Sequence, residues 1–405
     1  MSQDNEVKRD NPHLINAVPH LYEIDDMLDF CGKYERLYIC GAGENQEYLL
    51  KFLDICKVKI NGYTVTDPSR QQLFWYRQMP IAAVDDVIKS PNTGIILGLS
   101  DKHYRYFIPK FRKSGFSDYF VMTEYNKHTI ASQMRPRERG AASLEINLAD
   151  HCNLPCQGCD HYSQLSDESF LNYDSYKRDI ERLGELYSNK IGIITLLGGE
   201  PLLHENIIDF MKITRKVFPE AKCFILTNGL LLLQLENALQ GNIWQACKDY
   251  KFGINVTVYP IKLDFAGIAQ KAKQYDVPLR MSSDIHAEEL TTNTKISDKH
   301  TFDLSGNQPL WQSIGCIYFN KWTVLKDGKL YMCPISAHIP IFNKFFDQSL
   351  ELLDDDSIDI YSADKWEAFS EFNAKPVSFC RFCDLKNWVA ASEWGISKKV
   401  ISEYV

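Results

Sequence analysis

No apolar run in the 405 residues approaches the length that crosses a bilayer, and the opening stretch MSQDNEVKRDNPHL lacks the apolar centre of a secretory signal. Both absences predict a cytoplasmic chain without a membrane span. Broad positive charge is missing too. The formal net charge is -8, so no surplus of lysine and arginine is available to neutralise phosphates, and nucleic acid is excluded as a partner. A small polar substrate is the partner left open. No internal repeat or low-complexity tract breaks the chain, whose length predicts two or three domains with separate cores. The acidic run LELLDDDSID reads as a solvated surface loop. Cysteine, by contrast, is plentiful at twelve. In a reducing compartment clusters of it point to metal ligands or core positions rather than disulfides.

Residues 1–133 alternate strand and helix patterns: RLYIC, a glycine turn, apolar Tyr48, Leu49, Phe52 and Leu53 at helical spacing, then INGYTV, GIILGLS and DYFVM. This predicts a doubly wound, Rossmann-like α/β domain. Its Gly41-x-Gly43 turn and Asp67 could serve a phosphate and a ribose, but Gln46 stands where a third glycine would complete the fingerprint. A structural turn is the simpler reading. The segment resembles the small nucleotide-binding-like domain attached to many sugar-modifying and polysaccharide-assembly proteins.

Residues 134–290 begin after the charged linker RPRERGAA. The strand patterns SLEINLA, IGIITLL, CFIL, GINVTVY and VPLRM alternate with helices, the first carrying Tyr176, Ile180, Leu183 and Tyr187 on one face. Such units predict a parallel sheet curling into a partial (β/α)6 TIM-like barrel with functional loops after the strands. Residues 291–405 are less regular and predict a small α+β domain, with a hairpin turning at Asp327-Gly328 and FCRFCD near its end. Cys31, Cys40, Cys56, Cys223 and Cys247 fall in apolar elements and read as core.

The stretch LADHCNLPCQGCDHYS holds Cys152, Cys156 and Cys159. Three thiolates leave one iron of a cubane cluster open, whereas a structural zinc would need a fourth ligand, which His151, His161 or Asp160 could supply. The spacing Cys-x3-Cys-x2-Cys after the first barrel strand, with GGEP after the second and TNG after the third, resembles the radical S-adenosylmethionine (radical SAM) superfamily across residues 143 to 285. That resemblance implies a 4Fe-4S cluster on the three cysteines, Gly198, Gly199 and Glu200 at the methionine part of S-adenosylmethionine, and Thr227 and Asn228 near its ribose. Many relatives place an aromatic residue before the third cysteine. Here Gly158 stands there, so the adenine contact is unassigned.

Downstream, Cys316, Cys333, Cys380 and Cys383 are similar to the twitch domain, a shortened SPASM domain. This implies a second, fully ligated 4Fe-4S cluster; a structural zinc is the competing reading of two cysteine pairs. The resemblance further implies reductive cleavage of S-adenosylmethionine to a 5′-deoxyadenosyl radical that takes hydrogen from substrate, fed by a donor such as flavodoxin or ferredoxin. Asp160, His161 and Tyr162 follow the third cysteine and are candidates for accepting a proton; His204, near GGEP, is a weaker one. CNLPCQGCDHYS resembles a subgroup that accompanies surface-polysaccharide biosynthesis. The expected reaction is therefore oxidation or epimerisation of a sugar or nucleotide-linked sugar. A peptide-modifying enzyme of ribosomal-peptide maturation and a non-catalytic iron–sulfur carrier or sensor are the alternatives.

Overall fold

The computed structural model describes residues 19–68, 79–98, 101–234, 241–282, 296–299 and 301–405. The chain divides into two compact units, Met1–Pro136 with Pro309–Ile317, and Arg137–Gln308 with Tyr318–Val405. No described helix is long and apolar enough to cross a membrane.

In the first unit, α1 (Pro19–Cys31) precedes β1 (Arg36–Cys40), α2 (Glu44–Ile55), β2 (Gly62–Val65), β3 (Ile81–Ala83), α3 (Val84–Val87), β4 (Thr93–Leu97), α4 (Asp101–Ser114), β5 (Tyr119–Val121) and α5 (Glu124–Met134). The strands form one sheet in the order β3-β2-β1-β4-β5, all pairs parallel, which is the doubly wound arrangement expected. Ile39, Cys40, Ile95, Ile96 and Leu97 are fully buried, as strands covered on both faces require. At the glycine turn, the Gly43 N–H donates to Gln46 Oε1 at 3.1 Å, and Gln46 Nε2 donates to the Gly98 carbonyl at 2.8 Å. The Gln46 amide thereby occupies the helix entrance that a phosphate would need.

In the second unit, β6 (Ser143–Asn147), α6 (Tyr173–Leu186), β7 (Ile193–Leu197), α7 (Ile207–Val217), β8 (Lys222–Thr227), α8 (Ile243–Asp249), β9 (Phe252–Thr257), α9 (Phe265–Tyr275) and β10 (Leu279–Ser282) alternate as predicted. Asn172 opens α6 by accepting the Ser175 N–H at 3.0 Å, and Tyr176, Ile180 and Leu183 bury its inner stripe completely. Beyond β11 (Ile296–Lys299), the hairpin β12 (Thr323–Lys326) and β13 (Lys329–Tyr331) turns at Asp327-Gly328, both with positive φ. It extends the barrel sheet. β12 lies parallel to β6, giving the order β10-β9-β8-β7-β6-β12-β13-β14, where β14 is Ser357–Asp359. The strand and helix alternation thus supplies five parallel strands and the hairpin supplies the sixth, β12, beside β6 on the side away from β7. After α10 (Pro334–Phe346) and α11 (Trp366–Asn373), β15 (Val389–Glu393) pairs antiparallel with β11.

The acidic run is not wholly a surface loop. Asp354 and Asp355 are exposed, but Asp356 is fully buried, accepting the Leu353 N–H at 2.7 Å and the Phe379 N–H at 2.5 Å. Two otherwise unpaired backbone donors explain why a carboxylate sits there, tying the loop to the turn that carries Cys380. Asp356→Ala should destabilise this unit by about 2–4 kcal/mol, read as a lowered thermal unfolding transition, while Asp354→Ala leaves it unchanged.

Candidate functional site

The loop after β6 carries the three clustered cysteines, and its shape is set by backbone. Leu154 N–H donates to Cys152 Sγ at 3.3 Å, Cys156 N–H to the Leu154 carbonyl at 3.0 Å, and Gly158 takes φ +70°. A late segment clasps the loop from outside: the Gln157 N–H donates to the Gly395 carbonyl at 2.8 Å and the Ser397 N–H to the Pro155 carbonyl at 2.9 Å. At its base, Asp150 pairs with Lys326 of β12 at 2.7 Å, so the hairpin added to the sheet also fixes the entry to the loop.

All three thiols line one cavity of about 310 Å³ at the C-terminal ends of the parallel strands, together with Gly198, Gly199, Thr227 and Asn228. Among the described residues, the only set of three ligand atoms lying within 4.8 Å of one another is Cys159, Asp160 and His161. The three thiols as a set are more widely spread. Burial pushes the Cys152 thiol up to about 12 and Cys159 up to about 11, protons that metal binding would displace.

The glycine turn after β7 lies against this loop so closely that side chains are excluded. A Cβ on Gly198, where φ is +153°, would meet the Ala149 carbonyl oxygen at 2.4 Å, and one on Gly199 would meet the His151 carbonyl oxygen at 2.0 Å. Glu200 is not among the described residues that line the cavity. It is fully buried, and both its oxygens are occupied: Oε1 accepts Thr227 Oγ1–H at 2.7 Å and the Leu202 N–H at 3.1 Å, and Oε2 accepts the Asn228 N–H at 2.9 Å. Burial raises its pKa to about 7 against those hydrogen bonds, which lower it. Glu200 is therefore a brace that aims Thr227 and Asn228, the latter reaching Asn153 Oδ1 at 2.8 Å. Glu200→Gln would set an amide N–H against a backbone N–H, and is expected to cost about 2 kcal/mol and weaken S-adenosylmethionine binding, measured by thermal shift and calorimetry.

Of the three proton-accepting candidates, two face the cavity. Asp160 accepts Tyr318 O–H at 2.6 Å through Oδ2 and shares Oδ1 with His161 Nδ1 at 2.9 Å. Tyr162 is corrected: with φ +53° its backbone turns the side chain away, and the buried ring packs on Phe342 and Tyr404 at 5.5 and 5.8 Å between centroids. Burial drives its hydroxyl pKa far upward. His204 also lies elsewhere, its Nε2–H held by the Leu171 carbonyl at 3.0 Å and its Nδ1 accepting the Asn206 N–H at 3.1 Å. Sequence reasoning missed Glu145, Tyr259, Trp322 and Trp394, which also line the cavity. Glu145 was visible only as a charge in the strand SLEIN, two positions from Asn147 on the inward face. Burial pushes its carboxyl up to about 7, with His161 opposing the rise and Asp160 adding to it.

Cys333 caps α10, its sulfur accepting the Ser336 N–H at 3.5 Å, while Cys380 and Cys383 share one turn closed by the Cys383 N–H on the Cys380 carbonyl at 3.2 Å. Cys333 and Cys383 both lie within electrostatic reach of Tyr162. Cys316 belongs to the segment Pro309–Ile317 grouped with the first unit.

Residues 146–256 match the model of the Radical SAM superfamily. Among curated proteins, the GTP 3',8-cyclase of Clostridium perfringens (strain SM101 / Type A) is 33% identical over 92 residues, 22% of this chain and 28% of that protein. The GTP 3',8-cyclase of Petrotoga mobilis (strain DSM 10674 / SJ95) is 25% identical over 174 residues, 35% of this chain and 53% of that protein. The chain thus spans about half or less of the length of these relatives. Among solved structures, BtrN in complex with AdoMet and 2-DOIA is similar at 19% identity, over 60% of this chain and 92% of that one, with a TM-score of 0.38. Native anSMEcpe with bound AdoMet and Kp18Cys peptide is similar at 20% identity, over 35% and 42%, with a TM-score of 0.27.

Proposed function

We propose, since this chain carries a radical SAM domain and is an enzyme of that superfamily, that Cys152, Cys156 and Cys159 hold the family's 4Fe-4S cluster beside S-adenosylmethionine. The observation that carries the assignment is one cavity lined jointly by the three thiols and by Gly198, Gly199 and Asn228. When bound, the pair supplies reductive cleavage of a sulfonium and hydrogen-atom abstraction from carbon. The protein's part is placement. Gly198 and Gly199 bring bare backbone to the cofactor's polar end, and Thr227 and Asn228, braced by Glu200, meet the ribose. Tyr259 and Trp394, whose ring centroids are 5.8 Å apart, supply the aromatic wall for adenine that Gly158 cannot, and help to keep water out.

The substrate we favour is a sugar or nucleotide-linked sugar of surface-polysaccharide biosynthesis, oxidised or epimerised at carbon. Aromatic walls interleaved with hydroxyl and carboxyl groups suit a ring bearing hydroxyls. Cys333, Cys380 and Cys383, with Cys316 added by the sequence pattern, would hold a second cluster able to accept an electron from the substrate. Cyclisation of a purine nucleotide is a second reading, favoured by the name shared by the curated relatives. Anaerobic reconstitution with dithionite and S-adenosylmethionine tests the enzyme: 5′-deoxyadenosine must form, and its persistent absence with intact clusters leaves only a carrier or sensor. Consumption of added GTP would favour the second reading.

A further inference from the structure

Glu403 is a buried carboxylate, 6% exposed, that stands outside the described lining of the cavity. Its side-chain partners among the described residues are a hydroxyl and a backbone amide rather than a cation. Oε2 accepts the Ser397 O–H at 2.6 Å and Oε1 accepts the Lys398 N–H at 2.6 Å. Taking a carboxylate out of water is costly, and only charge-assisted hydrogen bonds of this kind offset it. Both bonds end on one short segment.

That segment has two duties. Its backbone clasps the cysteine loop, through the Gly395 carbonyl on the Gln157 N–H and the Ser397 N–H on the Pro155 carbonyl. One residue earlier, Trp394 lines the cavity and packs on Tyr259. Apart from a single bridge between Ile396 and Cys156, residues 394–400 have no regular structure, so side-chain bonds must set their shape. Glu403 is itself held from behind. Tyr404 is 2% exposed, its ring lies 5.4 Å from that of Phe342, and its carbonyl accepts the Phe302 N–H at 2.7 Å.

We propose that Glu403 is a positioning residue for S-adenosylmethionine: from the anchored Tyr404 it holds residues 394–398 in the shape that sets Trp394 beside Tyr259 and fastens the cysteine loop. This role rests on the aromatic wall assigned to adenine above and deepens it. Glu403 acts through its two hydrogen bonds, not through its charge. Glutamine can keep both, because its Oε1 accepts the Lys398 N–H while its amide N–H donates to Ser397 Oγ, and a hydroxyl accepts as readily as it donates. Alanine removes both acceptors from buried donors.

Amide hydrogen exchange of the full chain, read without metal or cofactor, tests the clasp. In Glu403→Ala the peptides spanning 155–159 and 395–399 should exchange about tenfold faster while the peptide 176–183 of α6 is unchanged. Ser397→Ala, which removes one of the two bonds, should quicken the same two peptides by about threefold, and Glu403→Gln should stay within about threefold of the wild type. Calorimetry on the anaerobically reconstituted chain reads the consequence: S-adenosylmethionine should bind about tenfold more weakly to Glu403→Ala and within about threefold of the wild type to Glu403→Gln. Trp394→Ala, titrated alongside, should weaken binding by at least about tenfold. If Trp394→Ala binds S-adenosylmethionine normally, the adenine assignment fails and the proposal with it. If Trp394→Ala binds weakly and Glu403→Ala does not, the positioning role alone fails. Exchange that quickens throughout Glu403→Ala marks general destabilisation, and equal effects of alanine and glutamine mark a role for charge; either result overturns the proposal.

Discussion

Serine at Cys152, Cys156 and Cys159 together is expected to remove about four iron atoms per chain and to lower 5′-deoxyadenosine formation by at least about 10³-fold. A hydroxyl is a poor ligand for iron at neutral pH, and among the described residues lining the cavity no fourth cysteine stands ready to replace the three. Iron retained elsewhere is informative. If Cys333, Cys380 and Cys383 belong to a second cluster, the triple variant keeps its other iron, and Cys380→Ser combined with Cys383→Ser removes it. Anaerobic iron determination with visible absorption spectra reads both results. Full iron and turnover in the triple variant would end the assignment.

The second large effect is expected from a single methyl group. In Gly199→Ala the new carbon would stand 2.0 Å from the His151 carbonyl oxygen, 2.3 Å from its carbon and 2.8 Å from the Cys152 nitrogen. These are main-chain atoms, so no side-chain rotation relieves the overlap, and the entry to the cysteine loop must move. A displacement on the order of 1 Å at reacting groups costs about 10²-fold in rate. S-adenosylmethionine binding by calorimetry and 5′-deoxyadenosine formation should both fall by about that factor. Gly140→Ala is the control, since a Cβ there meets nothing within 4 Å. A Gly199→Ala protein that binds the cofactor normally would refute the close-approach account.

What could be read in advance follows how far each signal travels along the chain. Alternating strands and helices are written in periods of two and 3.6, so the two sheets and the helical faces of Tyr176, Ile180 and Leu183 were legible. The cysteine spacing and the GGEP turn were legible because each is local. The bracing role of the Glu200 carboxylate was not legible, since its partners, Thr227 and Asn228, come from the following strand-loop and only folding brings them to it. Tyr162 was misread for a conformational reason: a left-handed residue sends its side chain opposite to the neighbour's, and nothing in DHYS announces it. Asp356 hid within a run of identical residues, distinguished by the Leu353 and Phe379 N–H groups that meet it. Glu145 required knowing which face of β6 looks inward.

The clasp on the cysteine loop bears on how the protein matures. The strap formed by Gly395 and Ser397 leaves the ribosome long after Gln157 and Pro155, which it secures. Until that late stretch has been made, the loop lacks its outer hydrogen bonds, and non-local pairing of this kind is slow. A metal group held on this loop would therefore be fastened only after residues 395–397 have been made.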